Sequence, residues 1–231
     1  MRHSDEHKTI YPSDIFYRVL EGTLVLADPE HGEVTRAHAG DSVFFRRDMW
    51  HHAFNYSQKP LKILEFAAPP AGEAIDYAKE QRSLHEVTYV RKDAWRAWPD
   101  SGEVETSRRI RVISDDEDIL WCLWGRATPT LIGILASTED LTVGELELLP
   151  GRETDEWRLE SEMTFFAVSG TLGIEIQEPD SGASMFELNP WDGFYLPAQT
   201  DFRLANLAGD TAKVIFQVVP GLAECETGPW S

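Results

Sequence analysis

Short apolar runs, broken by Gly, Pro, Asp and Asn turns, recur along the whole chain, and the period within them is nearer two than the three to four of a helix. The first, Asp14 to Leu26 (DIFYRVLEGTLVL), is two β-rich runs meeting at Glu21-Gly22, the composition of a tight hairpin. Glu33 to Ala37 follows a polar turn, Gly40-Asp41 opens a strand at Ser42 to Phe45, and Leu61 to Ala67 (LKILEFA) is another. Pro69-Pro70 ends this unit, because neither proline can donate to a ladder. Beyond it, Ala74 to Leu84 carries Ile75, Ala78 and Arg82 at helical spacing and is expected to form a short helix. Arg108 to Ile113, Ile119 to Trp124 and Leu131 to Ala136 read as strands around the acidic turn Ser114 to Asp118. From Val143 the regular alternation returns, with strands at Met163 to Val168, Leu172 to Gln177, Phe186 to Leu188, Gly193 to Leu196 and Ala212 to Val219. The pattern predicts an all-β chain of closed antiparallel sandwiches or barrels. Residues 1–70 form one such unit, 71–130 an irregular connector that contributes strands, and 131–231 a second unit.

The two units are copies of one another. SDIFYRVLEGTL (Ser13 to Leu24) lies against SEMTFFAVSGTL (Ser161 to Leu172), GDSVFFRRDMWHHAFN (Gly40 to Asn55) against WDGFYLPAQTDFRLAN (Trp191 to Asn206), and LKILEFAAPP against AKVIFQVVPG. Three correspondences in the same order define an internal repeat. In the second copy a full strand, Val143 to Leu149, precedes the repeat, whereas the first copy begins with nothing equivalent. The connector, through Arg108 to Ile113 or Ile119 to Trp124, or a second subunit by exchange, is expected to supply the missing strand.

Composition narrows the function classes. With 21 Lys plus Arg against 40 Asp plus Glu, the net charge of -19 repels phosphate backbones and anionic lipid surfaces, so neither nucleic acid nor membrane is an expected partner. Two cysteines, Cys122 and Cys225, without Cys-x-x-Cys spacing, read as reduced thiols rather than a disulfide framework or a zinc site. The charged N-terminal MRHSDEHK is no secretory signal, and a cytoplasmic protein is expected.

Gly40, His51 and Asn55 fall on the spacing of the second motif of the cupin superfamily, with Arg46 and Asp48 where Pro and Gly are usual; in the second copy Pro197 and Asn206 match, but Phe202 replaces the histidine. The whole chain resembles a bicupin. The resemblance implies two antiparallel jelly-roll barrels with a ligand site in the barrel mouth. It also implies two histidines and a glutamate in a first motif, binding Fe, Mn, Ni or Zn together with the second-motif histidine. Here those first-motif positions fall on Thr9, Tyr11 and Ile15, and in the second copy Trp157 and Leu159 take the place of the histidine pair.

One divalent metal in the N-terminal barrel would therefore draw on His51, with His7 and Asp14 as recruits and His3 further out; none is expected in the C-terminal barrel. Without a metal, His51 remains a general acid or base near neutral pH, with Tyr11 or Tyr17 as a second proton donor. His51 and His52 are consecutive, so only one enters the barrel, and the motif spacing favours His51. Arg46, Trp50 and Asn55 are the ligand-binding candidates: a guanidinium clamps carboxylates, an indole stacks on rings, and Asn55 belongs to the motif. The expectation is a small-molecule enzyme, an oxygenase, isomerase or lyase, acting on a sugar, keto acid or phenol. The alternative is a metal-free ligand-binding or sensor bicupin without turnover. The C-terminal barrel serves packing, and a homodimer is expected.

Overall fold

The structure is a computed structural model that describes residues 9–28, 33–47, 49–70, 75–76, 109–114, 116–178 and 182–222. The chain divides into two compact units, Met1–Asp115 and Asp116–Ser231. Both are built of antiparallel β-strands, as expected, and the described residues contain no α-helix, only a 3-10 turn at Asp116–Asp118. No described helix is long and apolar enough to cross a membrane.

In the N-terminal unit the strands are β1 (Thr9–Ile10), β2 (Asp14–Glu21), β3 (Thr23–Asp28), β4 (Glu33–His38), β5 (Ser42–Phe45), β6 (His52–Asn55), β7 (Lys62–Ala68), β8 (Ile75–Asp76) and β9 (Arg111–Ile113). They pair as β7-β2-β5-β9 and β4-β3-β6, with β1 and β8 as a separate short pair. Alternation along β2 sends Ile15, Tyr17 and Val19 inward, where they meet Leu24 and Leu26 of β3 and Val43 and Phe45 of β5 in one apolar core. The β2–β3 hairpin turns at Gly22, whose φ of +85° and close approach to the Pro60 carbonyl leave no room for a Cβ.

Two expectations resolve here. The connector does give the first unit a strand, but not the counterpart of the one that precedes the repeat: Arg111–Ile113 pairs antiparallel with β5, matching Val112 to Val43, whereas in the second copy Thr142–Leu148 pairs with Ala212–Val219, the counterpart of β7. The helix expected over Ala74 to Leu84 is overturned at its start, where Ile75 and Asp76 pair with Ile10 and Thr9 as a strand; the remainder of that stretch lies outside the described residues. The two-rung ladder pairs the backbone of Ile75 and Asp76, whereas three positions at helical spacing, one of them an arginine, are too few to hold a short helix on their own.

The C-terminal unit contains β10 (Leu120–Trp124), β11 (Thr130–Ser137), β12 (Thr142–Leu148), β13 (Trp157–Arg158), β14 (Glu162–Ser169), β15 (Leu172–Glu178), β16 (Gly182–Leu188), β17 (Gly193–Leu196), β18 (Asp201–Ala205) and β19 (Ala212–Val219). Its sheets run β10-β11-β12-β19-β14-β17 and β13-β18-β15-β16. Registers confirm the repeat residue by residue. Tyr17 faces Glu65 across β2 and β7, and Phe165 faces Phe216 across β14 and β19; Tyr17 also faces Val43, as Phe165 faces Phe194. The two strands that the connector offered are divided, β9 to the first unit and β10 to the second. Cys122 on β10 is a free, partly buried thiol, and Cys225 lies outside the described residues.

Candidate functional site

The interior of the N-terminal barrel gathers polar groups that an apolar core would not need. His51 is buried at the foot of β6, its ring centroid 4.9 Å from that of Phe45 and 5.6 Å from that of Tyr11. Its Nδ1 lies 3.2 Å from the Met49 carbonyl oxygen. A carbonyl only accepts, so Nδ1 carries the proton and donates, and in the neutral ring Nε2 keeps the lone pair. Tyr17, fully buried, packs edge-on against the same Phe45 at 5.6 Å, and its hydroxyl has no hydrogen-bond partner among the described residues. Burial pushes the Tyr17 phenol well above its ordinary pKa, with the neighbouring Glu65 and then Tyr11 adding to the effect, so it stays protonated and able to donate. The expected division between the adjacent histidines is observed: His52 lies against Phe54, at 5.2 Å, rather than among the residues around Phe45.

Glu65 is a candidate site residue that the sequence reading did not single out. It sits on β7 directly across from Tyr17, and alternation places it on the inward face with Ile63 and Ala67, which pack against the core. The residue remains open to solvent, as the mouth of a barrel allows, while the surrounding wall desolvates its carboxyl enough to raise the pKa. The signal was legible: LKILEFA alternates, and one acid stands on its otherwise apolar face.

Other predicted site residues have different tasks. Asp14 is fully buried on the opposite face of β2 from Tyr17, where its Oδ1 accepts from the Arg47 backbone N–H at 3.0 Å and pairs with Arg46 Nε at 3.1 Å and Arg47 Nε at 3.7 Å. It anchors the turn after β5 and does not face the barrel interior, and Arg46 is engaged by it rather than by the mouth. Trp50 is fully buried, so it has no open face for a ligand. Asn55 is exposed and closes a turn, donating to the Lys59 carbonyl at 2.8 Å and accepting from the Ser57 N–H at 2.9 Å. His7 and His3 lie outside the described residues.

A metal needs at least three ligands converging on a point. Among the described residues no group of three His, Cys, Asp or Glu side chains does so. The reason is visible at each position: Asp14 is turned away to two arginines, and His51 is flanked by the rings of Tyr11 and Phe45. The described side chains by themselves supply no three-ligand site, and His7, the third predicted ligand, lies outside them.

The same positions in the C-terminal unit are apolar. Phe202, Phe165 and Phe216 occupy the places of His51, Tyr17 and Glu65, and Leu159 that of Tyr11; all four are buried. Phe202 meets Phe165 and Trp157, each at 5.8 Å, and Trp157 stacks on Trp124 at 4.4 Å. One copy is filled with hydrocarbon where the other keeps an imidazole, a phenol and a carboxyl.

A family model described as Cupin domain matches residues 3–67. No curated protein matches the sequence. Among solved structures, AerE from Microcystis aeruginosa superposes with a TM-score of 0.59 at 13% identity, over 92% of this chain and 80% of that one. Oxalate decarboxylase from Bacillus subtilis superposes with a TM-score of 0.62 at 10% identity, over 93% of this chain and 65% of the enzyme, so the chain spans just under two thirds of its length. That enzyme has Mn(II) centres. At such identities the likeness is one of fold. A cupin domain is thus matched in the N-terminal unit, and over the whole chain the fold is that of these solved structures, with an apolar copy of the first unit's strand pattern in the second.

Proposed function

We propose that the N-terminal barrel is the active site of a small-molecule enzyme that moves a proton on a polar, oxygen-bearing substrate, as an isomerase or lyase does. The observation that carries this reading is the contrast between the copies, in which His51, Tyr17 and Glu65 stand where the second barrel has three buried phenylalanines. Buried polar groups are costly unless satisfied, and a hydroxyl held without a partner inside a barrel is explained by a ligand that completes it.

In this reading His51 is the catalytic base. Its Nδ1–H is tied to Met49, which fixes the tautomer and aims the Nε2 lone pair at the substrate. The Tyr17 hydroxyl donates to the substrate oxygen on which negative charge develops; a neutral donor in a dry site does so strongly, because little water competes for the charge. Each group is expected to contribute about 10²–10⁴-fold to the rate. Phe45, against which both rings pack, sets their spacing.

The test is solvent-deuterium incorporation followed by NMR, with the protein incubated in D2O with candidate sugars, keto acids and phenols. Exchange or conversion that is lost in His51→Gln supports the proposal. A ligand that raises the melting temperature of the wild-type protein but neither exchanges nor changes would overturn it in favour of a binding module.

A further inference from the structure

We propose that β10 is the edge through which two copies of this chain join, pairing antiparallel about a two-fold axis at Cys122, so that the sheets of two C-terminal units run on into one. The proposal concerns a surface of the C-terminal unit and is independent of the reading of the N-terminal barrel.

The strand itself points to a partner. β10 reads LWCLW, and among the described residues it is the last strand of its sheet. A sheet edge offers a row of backbone N–H and C=O groups to any passing chain, and proteins that stay single guard it with lysine, proline or a bulge. β10 has no charge and no proline, and it pairs with β11 from Leu120 to Trp124 without a bulge. Its side chains also stand in solvent: Leu120 is 69% exposed, Trp121 37% and Leu123 61%, and Leu131, directly across from Leu123 on β11, is 51% exposed. A contiguous apolar strip of this kind marks an interaction surface.

Symmetry and charge make that partner a second copy. A two-fold axis perpendicular to the sheet keeps each face on its own side, so residues brought opposite one another must share a face. Only registers centred on a residue satisfy this. The one centred on Cys122 pairs the whole strand, Leu120 with the copy's Trp124 and Trp121 with the copy's Leu123. The same register decides the flanks. An exposed acidic turn, Asp116–Asp118, precedes the strand and the exposed Arg126 follows it, with Asp118 and Arg126 each four residues from Cys122. Pairing therefore brings Asp118 to the copy's Arg126 at both ends of the seam, which offsets the repulsion between two chains of net charge -19. The contact also closes on itself. Each β10 occupies the other, whereas β10 added to β17 at the far edge of the sheet would propagate from copy to copy.

Sedimentation velocity on the full chain across a concentration series is expected to show a dimer. Leu123→Lys, which puts a charge into the seam from each copy, is expected to leave a folded monomer, the fold being checked by its melting curve. Arg126→Glu sets acid against acid across the axis and is expected to weaken the dimer on the order of tenfold, and adding Asp118→Arg to restore it. Residues opposite one another in an antiparallel pair have Cα atoms about 4.5–5.5 Å apart, inside the range that a disulfide spans. In a Cys225→Ser background, copper-phenanthroline, an oxidant that takes one hydrogen from each thiol, is therefore expected to link Cys122 to Cys122 of the copy. A monomer at every concentration, or a dimer that Leu123→Lys leaves intact, would overturn the proposal. So would a dimer in which Cys122 fails to cross-link although a maleimide labels it in the Leu123→Lys monomer.

Discussion

Replacing Tyr17 by phenylalanine removes one oxygen from the interior of the N-terminal barrel and leaves the ring that packs on Phe45 in place. That oxygen is fully buried and unpartnered, and a polar group so placed costs roughly 1–3 kcal/mol relative to one that is hydrogen-bonded. Removing it should therefore stabilise the unit by about 1 kcal/mol, allowing for some loss of packing against neighbours adapted to the phenol. For a unit of this size that corresponds to a rise in melting temperature of roughly 4 °C. Phe165 at the equivalent position of the second copy shows that the ring alone suits such a core. If the hydroxyl serves the substrate, turnover should fall by about 10²–10⁴-fold in the same variant. Thermal unfolding followed by circular dichroism, beside the exchange assay, reads both. A melting temperature that drops in Tyr17→Phe would refute the reasoning, because it would mean that the hydroxyl is bonded and contributes to the fold.

Asp14→Asn should lower the stability of the N-terminal unit by about 1–2 kcal/mol, since it leaves Arg46 and Arg47 without their shared charge while water screens their half-exposed side chains; denaturant titration checks it. Asn206→Ala should cost about 2–4 kcal/mol, because the buried amide donates to the Leu148 and Asp210 carbonyls and accepts from the Ala208 N–H, whereas Asn55→Ala, at an exposed turn, should cost less than about 1 kcal/mol in the same assay. Asp155 accepts from the backbone N–H groups of Ala127, Arg126 and Thr128, which lower its pKa. A carboxylate with a depressed folded pKa stabilises above the unfolded value and loses that contribution as pH falls through the folded one, so Asp155→Asn should flatten the acid limb of a stability–pH profile. Protein purified without chelators or a metal-affinity step should contain less than stoichiometric Fe, Mn, Ni or Zn by elemental analysis; near-stoichiometric metal that disappears in His51→Ala would overturn the metal-free reading of the site.

Periodicity, turn residues and the internal repeat were enough to determine the all-β class, most strand positions and the presence of two related barrels, because alternation and chain-breaking residues are local properties. They also singled out His51, since a motif spacing is a local property too. The roles of Asp14, Trp50 and Asn55 could not be read in this way. An acid one residue out of step with the inward face is turned to whichever neighbour the fold brings, here two arginines some 30 positions later. Whether a tryptophan lines a mouth or fills a core depends on what packs around it, and Trp50 is enclosed. Glu65 lies between these cases: its inward direction was implicit in LKILEFA, but only pairing across β2 and β7 set it opposite Tyr17 and gave the first barrel its polar interior. The strand that the connector lends to the first unit shows the same division, since RRIRVI reads as a strand locally, while its docking on β5 rather than beside β7 is a long-range choice made by the fold.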